Sequence, residues 1–309
     1  MKPRVILSLM LGSAIMLAAS SAHAVPPSVT TSWMPEQKLL AALLGPDSGI
    51  TVVPGSVAFH GNQMYQAGVT SDGRITMSSG SVISHTPEWY YKRKLEGGKM
   101  ESGPTSYDDP VAVGLAELAG VTANKVRDMA VLTFSFTVND PSLNTVSTSF
   151  VFATDEYASY KTDLTDPLMY VYGDVFGFFV DGVNYAWLPD GSSVNARQVG
   201  YFTDGEKDYG YAGKTEQYSI FAQLDPSRAV HTISIAVADI DTFTYLYFPD
   251  YPRPVCGEPD VGWWGDSAVF LGPLSFSNTP AIPEPETYAM MLAGLGMIGA
   301  VVRRRRKSQ

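Results

Sequence analysis

The chain has 309 residues, 45% of them hydrophobic, and a formal net charge of −10, so it is long enough for one large or two small domains with a proper apolar core. Seven of its 21 Lys and Arg residues lie at the two ends, which leaves residues 25–286 with 14 basic against all 31 acidic side chains. So acidic a surface repels nucleic acid and anionic lipid, and a single cysteine, Cys256, excludes any intramolecular disulfide.

In chain order, Lys2 and Arg4 precede an apolar stretch over residues 5–18, and Ala22-His23-Ala24 sets small residues where a signal peptidase cuts. The stretch is shorter than the ~20 residues that span a bilayer, so residues 1–24 are expected to be a removed signal peptide and not an anchor. Residues 25–35, rich in Pro, Ser and Thr, read as an extended lead-in. A short helix is expected over 36–44, with Leu39, Leu40, Leu43 and Leu44 on one side and a stop at Gly45-Pro46, and a second helix over 115–129.

Strand patterns fill most of the remainder: 50–53, 56–59, 74–77, 82–84, 130–138, 145–152, 175–180, 185–188, 218–222, 232–238, 267–271 and 274–276. Residues 130–138 alternate apolar and polar nearly without error, the pattern of a half-buried antiparallel strand. After the turn residues Asn139, Asp140, Pro141 and Ser142, residues 145–152 are the expected partner of that strand. Asp181-Gly182 and Asp190-Gly191 are hairpin turn signals. The expectation is an all-β fold: a single β-sandwich or jelly-roll-like domain over residues 25–279 with long loops and one or two short helices. Residues 87–110 and 245–265 read as surface excursions from it.

At the C-terminus, Pro283-Glu284-Pro285-Glu286 is held extended by its prolines. A second apolar run follows over 288–302, expected to be a hydrophobic helix, and then Arg303-Arg304-Arg305-Arg306-Lys307. Such a basic cluster stays on the cytoplasmic side, so the folded part belongs outside the inner membrane, which the tail touches transiently. These three parts, in this order, resemble the PEP-CTERM sorting signal, here residues 280–309. The resemblance implies that an exosortase recognises Pro283, Glu284 and Pro285, and that Arg303, Arg304, Arg305 and Arg306 are the membrane stop. It further implies delivery to the cell surface, outer membrane or extracellular matrix of a Gram-negative-type bacterium.

The second half carries another resemblance. Phe150-Val151-Phe152-Ala153-Thr154-Asp155-Glu156-Tyr157, Asp174-Val175-Phe176-Gly177-Phe178-Phe179-Val180, Ala236-Val237-Ala238-Asp239 and Asp266-Ser267-Ala268-Val269-Phe270-Leu271 occur in that order. Together they resemble the choice-of-anchor L domain family of secreted bacterial proteins. Thr154-Asp155 stands where that family usually has Ser-Glu, residues 161–173 are longer than its pattern, and residues 241–265 are a large insertion. The family implies surface display and supplies no catalytic residues to carry over.

Asp155, Glu156, Asp174, Asp239, Asp241 and Asp266 lie at strand ends or beside the most apolar strands. Carboxylates converging on one rim suit calcium, a hard ion that takes six to eight oxygens in irregular geometry; the same residues serve equally to accept loop amides or to face solvent. Trp89, Trp187, Trp263 and Trp264 are candidate platforms for sugar rings, with core and loop packing as the other reading. The leading expectation is a non-enzymatic adhesive or glycan-binding protein of the surface or exopolysaccharide matrix. The alternative is a polysaccharide hydrolase that pairs Asp155 or Glu156 with Asp174. His60, His85 and His231 make no zinc motif, and neither a Gly-x-Ser-x-Gly elbow nor a phosphate loop is present.

Overall fold

The computed structural model describes residues 29–32, 35–45, 48–61, 66–80, 82, 109–157, 173–205, 209, 211–240 and 267–278. The first part of the chain forms β1 (Val29–Ser32), α1 (Glu36–Leu44), β2 (Ile50–Val52), β3 (Ala58–His60), β4 (Ala67–Thr70) and β5 (Ile75–Ser78). Then come α2 (Pro110–Ala119), β6 (Val126–Val138), β7 (Thr145–Thr154), β8 (Val175–Val180), β9 (Val183–Asn184), β10 (Val194–Asn195), β11 (Phe202–Asp204) and β12 (Gly213–Thr215). The described part closes with β13 (Tyr218–Gln223), β14 (His231–Ile240), β15 (Ser267–Leu271) and β16 (Ser275–Ser277).

The strands form two sheets, as a sandwich requires. In the first, the order is β1-β4-β5-β15-β7-β12-β11, and β13 and β16 also pair with β7. The second runs β10-β8-β14-β6-β2, with β3 on β6 and β9 on β8. All these pairings are antiparallel.

Period-2 alternation supplies the core between the sheets. Phe134 and Phe136 of β6, Phe150 and Phe152 of β7, and Phe176 and Phe178 of β8 point inward and are at most 1% exposed. Across the interface the Phe150 and Phe176 rings meet with centroids 5.2 Å apart. Each buried phenyl contributes about 1.5–3 kcal/mol, and no disulfide is needed to hold such a core together.

Residues 145–152 form a strand as expected, but not the hairpin partner of 130–138. β6 pairs with β14, β2 and β3, while β7 lies at the centre of the opposite sheet. The intervening turn is an arch. The Asn139 amide donates to the Gly49 carbonyl beside the second sheet, and the Asn144 amide donates to the Ser277 carbonyl in the first. A hairpin would set both phenylalanine rows side by side on one face, whereas crossing over turns them toward each other and buries both.

The helix expected over 115–129 is also corrected. α2 begins at Pro110, with the Asp109 carboxylate accepting the Val111 amide, and ends at Gly120 in the left-handed conformation at φ 71°. Residues 126–129 belong to β6. α2 lies on the outer face of the second sheet, where Ala112, Leu115 and Ala116 meet Val131, Val175, Phe179, Ala236 and Ala238. Phe179 fits there because Gly114 and Gly177 flank its ring: a Cβ on Gly114 would stand 2.8 Å from it, and one on Gly177 would overlap it.

Residues 185–188 make only an isolated bridge, Trp187 with Ser193. The signal peptide, most of the 82–84 strand and the C-terminal hydrophobic helix lie outside the described residues. Among the described residues no helix is long and apolar enough to cross a membrane.

Candidate functional site

Strand alternation gathers a polar group at one end of the sandwich. On β5, β7 and β15, Met77, Phe152 and Val269 face the core, so the two-residue period puts Ser79, Thr154 and Ser267 on the same inner side. On β8 and β14, Phe176 and Val237 face the core, which does the same for Asp174 and Asp239. The β8–β14 ladder ends on the Ala238–Val175 pair, with Asp239 and Asp174 the next residues beyond it, while Arg127 of β6 is the cross-strand partner of Asp239 on its other side. This end, called the rim below, is where β5, β7 and β14 finish and β8 and β15 begin.

Hydrogen bonds tie the two sheets together at the rim. Ser79 Oγ donates to Asp174 Oδ2 at 2.8 Å and accepts the Ser267 amide at 3.0 Å. Ser267 Oγ donates to Thr154 Oγ1 at 2.8 Å, and the same oxygen accepts the Glu156 amide at 3.1 Å. Glu156 Oε2 accepts the Asp174 amide at 3.0 Å, closing a path from the first sheet to the second.

Asp174 is 0% exposed, and its Oδ1 has no hydrogen-bond partner. Burial, reinforced by the nearby charges of Glu156 and Asp239, pushes its carboxyl well above the usual carboxylate range; the hydrogen bond from Ser79 pulls the other way.

The residues beside it have structural tasks. Asp155 Oδ1 accepts the Ala212 amide at 3.0 Å. The Tyr157 ring lies against Gly213, where a Cβ would overlap it, and stacks on Phe202 with centroids 5.8 Å apart. Of the six acidic residues singled out by the sequence, the rim therefore brings together Glu156, Asp174 and Asp239. Asp155 turns toward residue 212, and Asp241 and Asp266 lie outside the described residues. Among the described residues no group of three or more His, Cys, Asp or Glu side chains is placed to hold a metal ion.

Of the four tryptophans, Trp187 is 44% exposed between β9 and β10, its Nε1 donating to the Asn184 carbonyl at 3.2 Å. Asp190, in the turn just beyond, accepts from Ser192 and lies near Tyr201, which in turn neighbours Tyr218. Trp89, Trp263 and Trp264 lie outside the described residues, as do Pro283, Glu284, Pro285 and Arg303, Arg304, Arg305 and Arg306.

Sequence reasoning missed Ser79, Thr154 and Ser267. The signal was present: counting by twos from the core-facing residue of each strand reaches all three. Nothing local, however, marks Ser79 as the partner of a carboxylate 95 residues away.

No curated protein sequence matches the chain. Among solved structures it is similar to the crystal structure of a β-glucosidase from Kluyveromyces marxianus in complex with glucose, at 12% identity and a TM-score of 0.22. That likeness covers 51% of this chain and 12% of the other, and carries no argument about fold or chemistry. Residues 281–307 match the PEP-CTERM protein-sorting motif, which marks the protein as one exported and processed at the membrane by an exosortase.

Proposed function

We propose that the protein is a surface or extracellular-matrix component of choice-of-anchor L type, which adheres to exopolysaccharide or surface glycans once a signal peptidase and an exosortase have removed its two ends. The sorting motif at residues 281–307 carries this reading, because a chain equipped for membrane processing works outside the cytoplasm. The choice-of-anchor L assignment is supported by the meeting of its motif segments at one rim, where Glu156 accepts the Asp174 amide and Ser267 bonds Thr154. Glycan binding is supported by exposed Trp187 and the neighbouring Asp190, Tyr201 and Tyr218, since flat rings stack on sugar faces and a carboxylate accepts sugar hydroxyls. The hydrolase alternative draws less support. A glycosidase needs both carboxyl groups against the substrate, and Asp174 is 0% exposed.

Expression with and without the cognate exosortase tests the placement. With it, the mature chain is expected to lose its basic tail by mass spectrometry; without it, or with Glu284→Ala, the precursor stays with the inner membrane. Full-length chain recovered from the cytosol with both ends intact sinks the reading. On a glycan array, Trp187→Ala is expected to weaken binding about tenfold, equivalent to ~1.4 kcal/mol. Release of reducing ends from matrix polysaccharide would favour the hydrolase instead.

A further inference from the structure

We propose that β13 is an association edge at which two copies of this chain join, strand to strand and antiparallel, about a two-fold axis through Phe221.

Three observations carry it. First, β13 is an open edge. Among the described residues it pairs with β7 alone, and β11, whose Phe202 pairs with Thr215, stops short of it. The Leu224 amide donates to the Asn144 carbonyl at 2.7 Å. By the two-residue period of an antiparallel ladder, Ile220 and Ala222 then turn their amides and carbonyls toward β7, and Ser219, Phe221 and Gln223 turn theirs away from it.

Second, nothing blunts this edge. Exposed edges are ordinarily short, charged, bulged or broken by proline. The other described strands with a single partner strand have at most four residues. β13 has six, in unbroken register, with no charge, proline or glycine among them. Phe221 stands 53% exposed at the middle of the open run.

Third, the edge complements itself. With Phe221 opposite Phe221 of a second copy, Ser219 faces Gln223 and buried Ile220 faces buried Ala222, large against small. In this register Asp225 falls opposite Gln217 and Glu216 opposite Pro226, so no carboxylate meets another across the junction. That matters for two chains whose acidic surfaces otherwise repel. A slip of two residues leaves part of the open run unpaired, so the centred register is the favoured one. The pairing joins the first sheets of both copies into one continuous sheet. It is independent of glycan binding and is read without a sugar.

The experiment is sedimentation velocity of the mature exported protein, at concentrations up to about 1 mM. A reversible dimer is expected. Phe221→Lys sets like charges opposite each other, and Ser219→Pro removes an outward amide while sparing the bonds to β7. Each is expected to raise the dissociation constant about tenfold or more, with an unchanged far-ultraviolet spectrum. Cross-linking reads the register. In a Cys256→Ser background, Phe221→Cys should give a disulfide-linked dimer on oxidation, because residues facing each other in a hydrogen-bonded pair have Cα atoms about 5.5 Å apart. Ser219→Cys should not, since it faces Gln223. The cysteine variants decide the matter even where a lysine or a proline upsets the strand. A protein that stays monomeric throughout overturns the proposal. So does a dimer that survives both Phe221→Lys and Ser219→Pro, or one that Ser219→Cys cross-links as readily as Phe221→Cys.

Discussion

At the far end of the sandwich, where β6 passes to β7 and β13 to β14, Asp140 and Asp225 stand in solvent. Each accepts a backbone amide two residues on, from Ser142 at 2.8 Å and Ser227 at 2.9 Å. Hydrogen bonds from those serines hold both carboxyls below the usual range. At the rim, Asp174 is shut away from water beside Glu156 and Asp239, and its carboxyl is pushed the opposite way. The same side chain thus closes a solvated turn at one end and is held as a buried, readily protonated acid at the other. Net acidity over residues 25–286 says nothing about which role a given carboxylate takes; depth and neighbours decide it.

The comparison breaks most completely if the two ends do not share one core. Phe150 sits midway along β7 against Phe176 of the other sheet, so Phe150→Ala is expected to cost about 3–5 kcal/mol. In a hydrogen-exchange measurement, amides near the rim and near the far end should lose protection together. Loss at one end alone would mean two cooperative units. A smaller effect, about 1–3 kcal/mol, is expected for Gly177→Ala, which forces a methyl group into the Phe179 ring and lifts α2 from the rim half of the sheet. Chemical denaturation with a far-ultraviolet readout measures both.

How much of this the sequence discloses depends on the range of the interaction. The alternation along β6 and the Asp181-Gly182 turn are local, and both are found where the pattern puts them, the turn with φ of 52° and 85°. α2 is local too, but a reading that carries the helix through Gly120 overlooks its strongest stop signal. The partner of β7 is not local: alternation defines a buried face, and both a hairpin and an arch provide one until the second phenylalanine row needs an opposing surface. For the site, the position of Asp174 at a strand start is legible, and so is its company of other acids. Its burial is not, because that depends on Ser79 and Ser267 arriving from distant strands.

The pH dependence separates the two ends further. Asp174 holds a proton in the folded state to a higher pH than in the unfolded chain. The stability linked to it is fully present below the unfolded carboxyl value of about 3.9 and is lost as pH rises through the raised folded value. Melting temperature is therefore expected to fall from mildly acidic to neutral pH, and Asp174→Asn should flatten that limb. A wild-type curve that instead climbs across this range contradicts the assignment.

The smallest effect belongs to the far end, and its sign is reversed. Asp140 and Asp225 have folded values below the unfolded one, so their contribution is present above about pH 3.9 and is lost as pH falls through the lowered folded values. Both are fully solvated, and solvent screening keeps the contribution slight. Asp140→Asn with Asp225→Asn should leave the neutral-pH limb untouched while easing the decline in melting temperature below about pH 4. A double variant that altered the neutral-pH limb would show that the two ends communicate through the core, and the separate treatment of their carboxylates would then be wrong.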